Sequence, residues 1–212
     1  MRVSANPGKG AQMMGRRRIR LAAWPVVLAG TLALAGCIST GKKPPASLLD
    51  LTPASPAPAG LAASGTAEQA LAVMEPAAPE KLDVTRVPVQ VSASTVAYLK
   101  DAMWVEKPAR LFGRLLAETI RAKKTRLVIA GSDEKYKAAT QLSGQLVEMG
   151  YDAPSSSVVV VFDAVLQQAD GKILTKRFED RENGIAASAA AVGPALNQAA
   201  NKVAAQVADW VG

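Results

Sequence analysis

The single cysteine of the chain, Cys37, most constrains its organisation, because it closes an apolar segment that follows a basic cluster. The cluster lies within residues 16–20, and 16 uncharged residues, 21–36, separate it from the cysteine. A basic start, an apolar middle and small residues at the end are the three parts of a secretory signal. A transmembrane anchor needs about 20 apolar residues, whereas this segment is shorter and contains Pro25. The sequence therefore predicts a signal peptide over residues 1–36.

The residues around the cysteine resemble the lipobox of bacterial lipoproteins. Four consecutive residues carry the motif: Leu34, Ala35, Gly36 and Cys37. Its chemistry needs a thiol, because the sulfur accepts a diacylglycerol before cleavage frees the amine for a further acyl chain. Each buried methylene contributes about 0.8 kcal/mol, so several chains together hold a protein stably in a membrane. We expect lipidation of Cys37, with this covalent lipid and no dissociable cofactor; the alternative is a chance cysteine after an ordinary signal.

The residues that follow the cysteine predict where the protein is held. Ile38 stands at the position where sorted lipoproteins that stay at the inner membrane carry Asp, so by this resemblance the outer membrane is favoured. Residues 37–46 are predicted to be a tether, and the distance from Cys37 to Pro45 is at most about 28 Å. The expected location is therefore the outer membrane, lipid-anchored and facing the periplasm.

The net charge of +7 comes almost entirely from the predicted signal. Lys and Arg number 25 in the whole chain and 19 after residue 36, whereas all 18 Asp and Glu residues lie after it, which leaves +1. A basic leader says little about the partners of the mature domain. Nucleic acid is therefore not an expected partner. Three methionines are candidate starts of the signal: Met1, Met13 and Met14.

The residue types that are missing exclude several kinds of active site. The chain contains no histidine, which excludes Ser-His-Asp and Cys-His nucleophile pairs and histidine-ligated metals. One cysteine forms neither an intrachain disulfide nor a thiolate zinc cluster. No phosphate-binding loop is present. We therefore predict no enzyme activity, no catalytic residues and no metal site.

Residues 47–212 are predicted to form one domain after the tether. Its first segment, 47–52, is a short apolar run that is expected to be a strand. Residues 53–80 are rich in Pro, Ala, Gly and Ser and are expected to form a flexible loop. A brief helix over Thr66 to Met74 is one interpretation of a part of that loop.

From Lys81 onwards the hydrophobic pattern predicts regular elements. Strands are expected near 82–91, with Pro88 at an edge or bulge, and near 95–105. Pro108 is expected to start an amphipathic helix, and a buried strand follows at 125–131. The pattern is ambiguous between strand and helix at 140–152, whereas 155–168 and 173–181 are strongly β and are joined by a hairpin turn at Gly171. A final helix near 186–211 has an apolar stripe formed by Val192, Leu196, Ala199, Val203, Val207 and Trp210.

These elements predict an α+β fold, in which two amphipathic helices pack on one face of a mixed, mostly antiparallel β-sheet. Few side chains are candidates for a functional site. Trp104 either contacts a lipid or partner, or locks the preceding hairpin onto the helix. Asp163 is the only carboxylate in an apolar strand, and the charged run 176–182 is expected to be a solvated strand end. The cations at the end of the first helix either contact lipid headgroups or complement the helix dipole: Arg121, Lys123, Lys124 and Arg126.

The order of these segments resembles the ABC-type transport auxiliary lipoproteins, the PqiC-like family that accompanies MCE-protein lipid transport systems. The resemblance covers roughly Ser47 to Val211. Its features are Leu51-Thr52-Pro53, the V-x-x-V-P-V segment Val84 to Val89, Trp104 with Pro108 and Leu111, and the hairpin D-G-K-I-L-T-K-R-F. The family implies an accessory lipoprotein that docks an MCE protein and works with its ABC permease and ATPase to move phospholipid between membranes. The alternatives are a periplasmic lipid carrier and a cell-wall-associated structural lipoprotein.

Overall fold

A computed structural model describes residues 47–130 and 138–212 of the chain. The predicted signal, the lipobox and the tether up to residue 46 lie outside the described residues. Within them the chain forms seven strands and two helices, and the predicted α+β class is confirmed. Because the strands come from all parts of the domain, their order along the sheet decides which surfaces face solvent.

The sheet is organised around one long strand, β5 (Thr140–Asp152). On one side β5 pairs antiparallel with β6 (Ser157–Gln167), which pairs antiparallel with β7 (Ile173–Asn183). The other side of β5 is shared by two shorter strands. Its first residues pair in parallel with β1 (Ala70–Val73), and its last residues pair in parallel with β2 (Arg86–Ser92).

Two further strands complete the sheet at its outer edges. Strand β3 (Thr95–Met103) pairs antiparallel with β2, and β4 (Leu127–Ala130) pairs in parallel with β1. The β2–β3 register shifts between Arg86 and Pro88, as expected for a proline that cannot donate to the ladder. Three antiparallel pairings provide most of the registered residue pairs, so the sheet is mixed and mostly antiparallel.

The two helices lie side by side on one face of the sheet. Helix α1 (Pro108–Ala122) starts at a proline, and α2 (Ala189–Val211) starts after Ser188, whose hydroxyl accepts the amide of Ala191. Their C-terminal ends meet, because Lys123 forms an ion pair with Asp209 and Arg126 Nη1 donates to the Val211 carbonyl at 3.3 Å. The helices therefore run in the same direction.

The core lies between the helices and the sheet and is mostly aliphatic. Alternate residues of β6, Val158, Val160 and Phe162, point into it and belong to the same buried cluster as residues of both helices. The Phe112 and Phe162 rings pack edge to face with centroids 5.2 Å apart. The predicted apolar stripe of α2 is buried apart from Trp210, which packs edge to face on Phe178 at 5.6 Å.

Three local predictions differ from the structure. The helix suggested over 66–74 is wrong, because Ala70–Val73 forms a strand between β4 and β5 with each residue at most 6% exposed. The strand expected at 47–52 is reduced to one parallel bridge between Leu49 and Trp104. Strand β4 is an edge strand in which Val128 is buried but Ala130 is exposed. In each case the observed structure depends on pairing with residues that are distant in sequence, and the local sequence pattern carries no information about such pairing.

Candidate functional site

A segment that we call the strap, residues 49–64, crosses the outer surface of both helices. Three residues of α2 that are spaced by four, Gly193, Asn197 and Asn201, lie beneath its start. Leu49 packs so closely on Gly193 that a Cβ there would lie 2.6 Å from Leu49 Cδ2. A larger residue at this position would force the Leu49 side chain to shift, so the glycine lets Leu49 sit closely on α2.

Side-chain amides then hold the strap backbone. The Asn197 Oδ1 atom accepts the Thr52 amide at 2.9 Å, and the Asn201 Oδ1 atom accepts the Ala54 amide at 2.7 Å. Asn201 Nδ2 also donates to the Thr52 carbonyl at 2.9 Å. Further along, Glu118 of α1 accepts the Ala57 amide at 2.8 Å. These bonds lead the strap from the N-terminal ends of the helices towards their C-terminal ends.

The face of the sheet away from the helices carries a groove of about 620 Å³, which we call the sheet groove. Its floor follows the register of the sheet, because Gly150, Val159 and Arg181 are aligned across β5, β6 and β7. Pro88 of β2 closes the floor, and a Cβ on Gly150 would lie 2.5 Å from the Pro88 carbonyl oxygen. The glycine therefore permits β2 to approach β5 closely at this point.

Ion pairs line the sheet groove beside this apolar floor. Lys81 pairs with Glu148, and Arg181 Nη1 lies 3.1 Å from Asp152 Oδ2. Each cation is matched by a carboxylate, so the groove carries little net charge. A groove with an apolar floor and paired charges at its rim has the chemistry of a protein contact rather than that of a catalytic cleft.

The β2–β3 hairpin borders this groove and exposes apolar side chains. Val96 lines the groove and is 41% exposed, and Val91 on the neighbouring strand is 46% exposed. In the described residues β3 pairs only with β2 along Thr95–Met103, and its outer edge carries a single bridge near its end, from Leu49 to Trp104. The hairpin thus offers an apolar surface beside an open strand edge.

Residues 50–208 match the model of the family described as ABC-type transport auxiliary lipoprotein component. The chain belongs to this family. Among curated proteins, none matches the chain significantly. A Xanthomonas campestris protein of known structure shares 18% identity and a TM-score of 0.57, covering 79% of this chain and 92% of its own. A second crystal structure, of an uncharacterised protein, shares 16% identity and a TM-score of 0.58, covering 70% of this chain and 95% of its own. These two structures share the fold.

Membership of the auxiliary lipoprotein family implies anchoring to a membrane through lipid. Within residues 47–130 and 138–212, no helix is long and apolar enough to span a membrane. In the same residues no three His, Cys, Asp or Glu side chains come together as metal ligands. The predicted lipidation site, Cys37, and its motif Leu34, Ala35 and Gly36 precede the described part of this auxiliary lipoprotein.

Trp104 of the auxiliary lipoprotein lies in the core and is 1% exposed. Its backbone amide donates to the Thr85 carbonyl at 2.8 Å, and its neighbour Val105 donates to Leu49 at 2.9 Å. The indole joins the buried cluster that also contains Leu111 and Phe112 of α1. This position matches the packing interpretation and leaves the indole without a surface for a partner.

The charged candidates are mostly engaged in ion pairs. Asp163 accepts two hydrogen bonds of 2.6 Å from Arg177, and these bonds lower the pKa of its carboxyl. The run 176–182 lies on β7 with most of its side chains exposed, and several of its charges form ion pairs at the surface. Lys202 of α2 pairs with Glu182 of this strand. At the end of α1, Lys123 pairs with Asp209, and Arg121 lies 2.6 Å from Glu118.

The sheet groove and the strap contacts were missed by the sequence interpretation. The groove depends on the register that aligns Gly150 with Val159 and on the approach of Pro88, so neither residue signals it alone. The strap contacts join residues that are 145 and 147 positions apart. The spacing of Gly193, Asn197 and Asn201 along α2 was the one available signal, because it places small and polar residues on one helix face.

Proposed function

We propose that this auxiliary lipoprotein is held in the outer membrane by lipid on Cys37 and docks an MCE protein that works with an ABC permease and ATPase. The family match over residues 50–208 carries this proposal. The domain takes no catalytic part in it, and phospholipid transport is driven by ATP hydrolysis in the partner. The near-neutral charge of the mature chain and its predicted short tether support a role in protein contact close to a membrane.

We assign the docking surface to the β2–β3 hairpin and the adjoining sheet groove. The outer edge of β3 already accepts a parallel bridge at its end, where Leu49 donates to the Met103 carbonyl at 2.7 Å. The remaining edge has the geometry to receive an extended segment of the MCE protein by strand addition, with Val96 contacting its side chains. An open edge beside an exposed valine favours a strand partner over a helical one.

A lipid carrier is less well supported by the structure. Such a carrier needs an internal apolar cavity, whereas the interface between helices and sheet is filled by fully buried side chains such as Leu71, Val160, Leu196 and Val203. Close packing of this kind leaves no room for acyl chains. The docking role requires no such cavity.

The test is affinity purification of the lipidated protein from membranes solubilised in an uncharged detergent. We expect an MCE protein, its permease and its ATPase to copurify. Val96→Lys places a charge on the docking surface and is expected to lower recovery of the MCE protein at least several-fold. Ile173→Lys is the matched control, because Ile173 is also an apolar strand residue, is 62% exposed, and lies in the β6–β7 hairpin away from the sheet groove.

The two parts of the proposal fail in different ways. If the unaltered protein is recovered alone from cells that express the transport components, the docking function is wrong. If the partners copurify equally with the Val96→Lys and Ile173→Lys variants, the function stands but the assigned surface is wrong.

A further inference from the structure

A second concavity of about 620 Å³ lies at the C-terminal end of α1, and we call it the basic pocket. Its cationic lining is Arg121, Lys124 and Arg126, and strap residues 61–64 form the opposite wall. Ser64 and Thr125 add hydroxyl groups to the lining. The volume is in the range of small-molecule sites, about 300–1,000 Å³.

The charges of this pocket are only partly neutralised by neighbouring groups. Arg121 pairs with Glu118 at 2.6 Å, but the acceptors of Arg126 are neutral: the Val211 carbonyl at 3.3 Å and the Thr140 hydroxyl at 3.2 Å. In the part of the chain that the structure describes, Lys124 forms no ion pair. The C-terminal ends of α1 and α2 meet here, and each carries roughly half a negative charge. The positive charge of Lys124 and Arg126 therefore exceeds the negative charge of the two helix ends.

The end of α1 places Lys124 in the pocket wall. Its φ of 59° lies in the left-handed region, at the position just after a helix where glycine is usual, and its backbone amide donates to the Arg121 carbonyl at 3.1 Å. Lys124 thus ends the helix and adds an ammonium group to the two guanidinium groups of the pocket lining.

We propose that the basic pocket binds a phosphate group. Each guanidinium group has five N–H donors, and the bonds above use one from Arg121 and two from Arg126. The donors that remain suit phosphate oxygens, and the Lys124 ammonium group adds a third charged donor. The same chemistry fits a phospholipid headgroup, which is a phosphodiester, and free phosphate. The pocket lies about 20 Å from the N-terminal end of α1, as a helix of 15 residues requires.

The test is isothermal titration calorimetry on the full lipidated protein in micelles of an uncharged detergent. The probes are inorganic phosphate and glycerophosphoglycerol, a headgroup without acyl chains, each compared with chloride at equal ionic strength. Lys124→Gly is the informative variant, because glycine suits the positive φ and preserves the fold. We expect it to weaken binding about tenfold, the loss of one charge-assisted hydrogen bond. Lys124→Gln checks that the charge is responsible, and Lys172→Gln removes a lysine from the β6–β7 turn as a control.

Each outcome bears on the proposal. Binding of glycerophosphoglycerol that depends on Lys124 assigns the pocket to a lipid headgroup, and binding of inorganic phosphate alone assigns it to free phosphate. No binding beyond chloride overturns the proposal, as does binding that Lys124→Gly and Lys172→Gln leave equally strong. The measurement uses the purified protein without partners, so its result is independent of whether an MCE protein docks elsewhere.

Discussion

At the scale of single residues, Asp180 is the least well satisfied charged group in the described chain. It lies on the helix-facing side of β7, two residues from the buried Phe178. Its Oδ2 atom is buried without a hydrogen bond, and Lys202 Nζ lies 3.8 Å away because that lysine pairs more closely with Glu182. Burial raises the pKa of the Asp180 carboxyl, and the nearby Lys202 opposes this effect only in part.

The raised pKa predicts that the charge on Asp180 costs stability at neutral pH. A carboxyl whose pKa is higher in the folded chain stabilises the fold below its unfolded pKa of about 3.9, and this contribution disappears as pH rises through the folded pKa. We therefore expect Asp180→Asn to raise the melting temperature at pH 7 and to leave it unchanged below about pH 4. Thermal unfolding followed by circular dichroism from pH 3 to pH 8 measures this difference.

Asp163→Asn is the matched control for that series, because the pKa of Asp163 is lowered instead. Its two bonds from Arg177 are the main cause of the lowered pKa, so the charged form stabilises the fold above the unfolded pKa. This contribution is lost as pH falls through the folded pKa. We expect Asp163→Asn to lower the melting temperature slightly at pH 7. A lower melting temperature for Asp180→Asn at pH 7 would show that its contact with Lys202 outweighs its burial.

At the scale of elements, the strap shows how a Pro- and Ala-rich segment becomes fixed in place. Residues 53–69 contain no regular strand or helix. The backbone of the strap is nevertheless held at three amides, by hydrogen bonds from Thr52 to Asn197, from Ala54 to Asn201 and from Ala57 to Glu118. Each side chain supplies an oxygen to an amide that has no strand or helix partner. The strap is thus ordered by the helix surface rather than by its own sequence.

Removal of Asn201 tests this dependence. Asn201→Ala removes the partner of the Ala54 amide and of the Thr52 carbonyl, and because both bonds are exposed to solvent it is expected to cost about 0.5–1.5 kcal/mol of local stability. Hydrogen exchange measured by mass spectrometry should show faster exchange in peptides covering 52–57 and unchanged exchange in β5 and β6. Gln198→Ala is the control, since Gln198 is an exposed neighbour on α2. Equal exchange in both variants would mean that Asn201 is not needed and that the contacts of Leu49, Asn197 and Glu118 are enough to seat the strap.

The elements that were predicted correctly are those whose signals are local. Helix α1 begins at Pro108 because proline suits a first helical position, and the hairpin between β6 and β7 turns at Gly171, whose φ is 85°. The apolar stripe of α2 predicted its buried face. Strand β1 was missed because four small apolar residues carry no period of their own. Its strand character comes from pairing with β4 and β5, which follow far along the chain.

The candidate sites also divide into features that have a local sequence signal and features that depend on long-range contacts. The basic residues of the pocket were visible as a cluster in sequence, but the opposite wall, strap residues 61–64, was not. Trp104 was a candidate contact residue in the sequence, and only the fold shows that it lies in the core rather than at the surface. The sheet groove depends on the register of β5 with β6 and on the approach of β2. Long-range pairing of this kind leaves no local trace in a sequence.

At the scale of the whole molecule, the described domain has two different ends. Leu49 lies at the N-terminal end of α2, and the two helix C-termini with the basic pocket form the other end. If the predicted anchor is present at Cys37, the membrane that holds it is expected to determine which components the domain can reach.

The residue after the predicted lipidation site tests the expected location. By resemblance to sorted lipoproteins, Ile38→Asp is expected to retain the protein at the inner membrane, whereas the unaltered chain is expected at the outer membrane. Membrane fractions separated on a sucrose gradient and probed for the protein measure the distribution. Ile38→Ser is the control, because it changes the side chain without adding a charge and is expected to leave the protein at the outer membrane.

Cys37→Ser separates anchoring from sorting in the same experiment. Without a thiol no diacylglycerol is attached, so mass spectrometry should find no lipid on this variant. If the unaltered chain is lipidated but fractionates with the inner membrane, the outer-membrane assignment is wrong. If Cys37→Ser fractionates as the unaltered chain does and neither carries lipid, a chance cysteine after an ordinary signal is the correct interpretation. A lipidated chain that Ile38→Asp moves to the inner membrane supports both the anchor and its sorting, because the two variants alter adjacent residues with different chemistry.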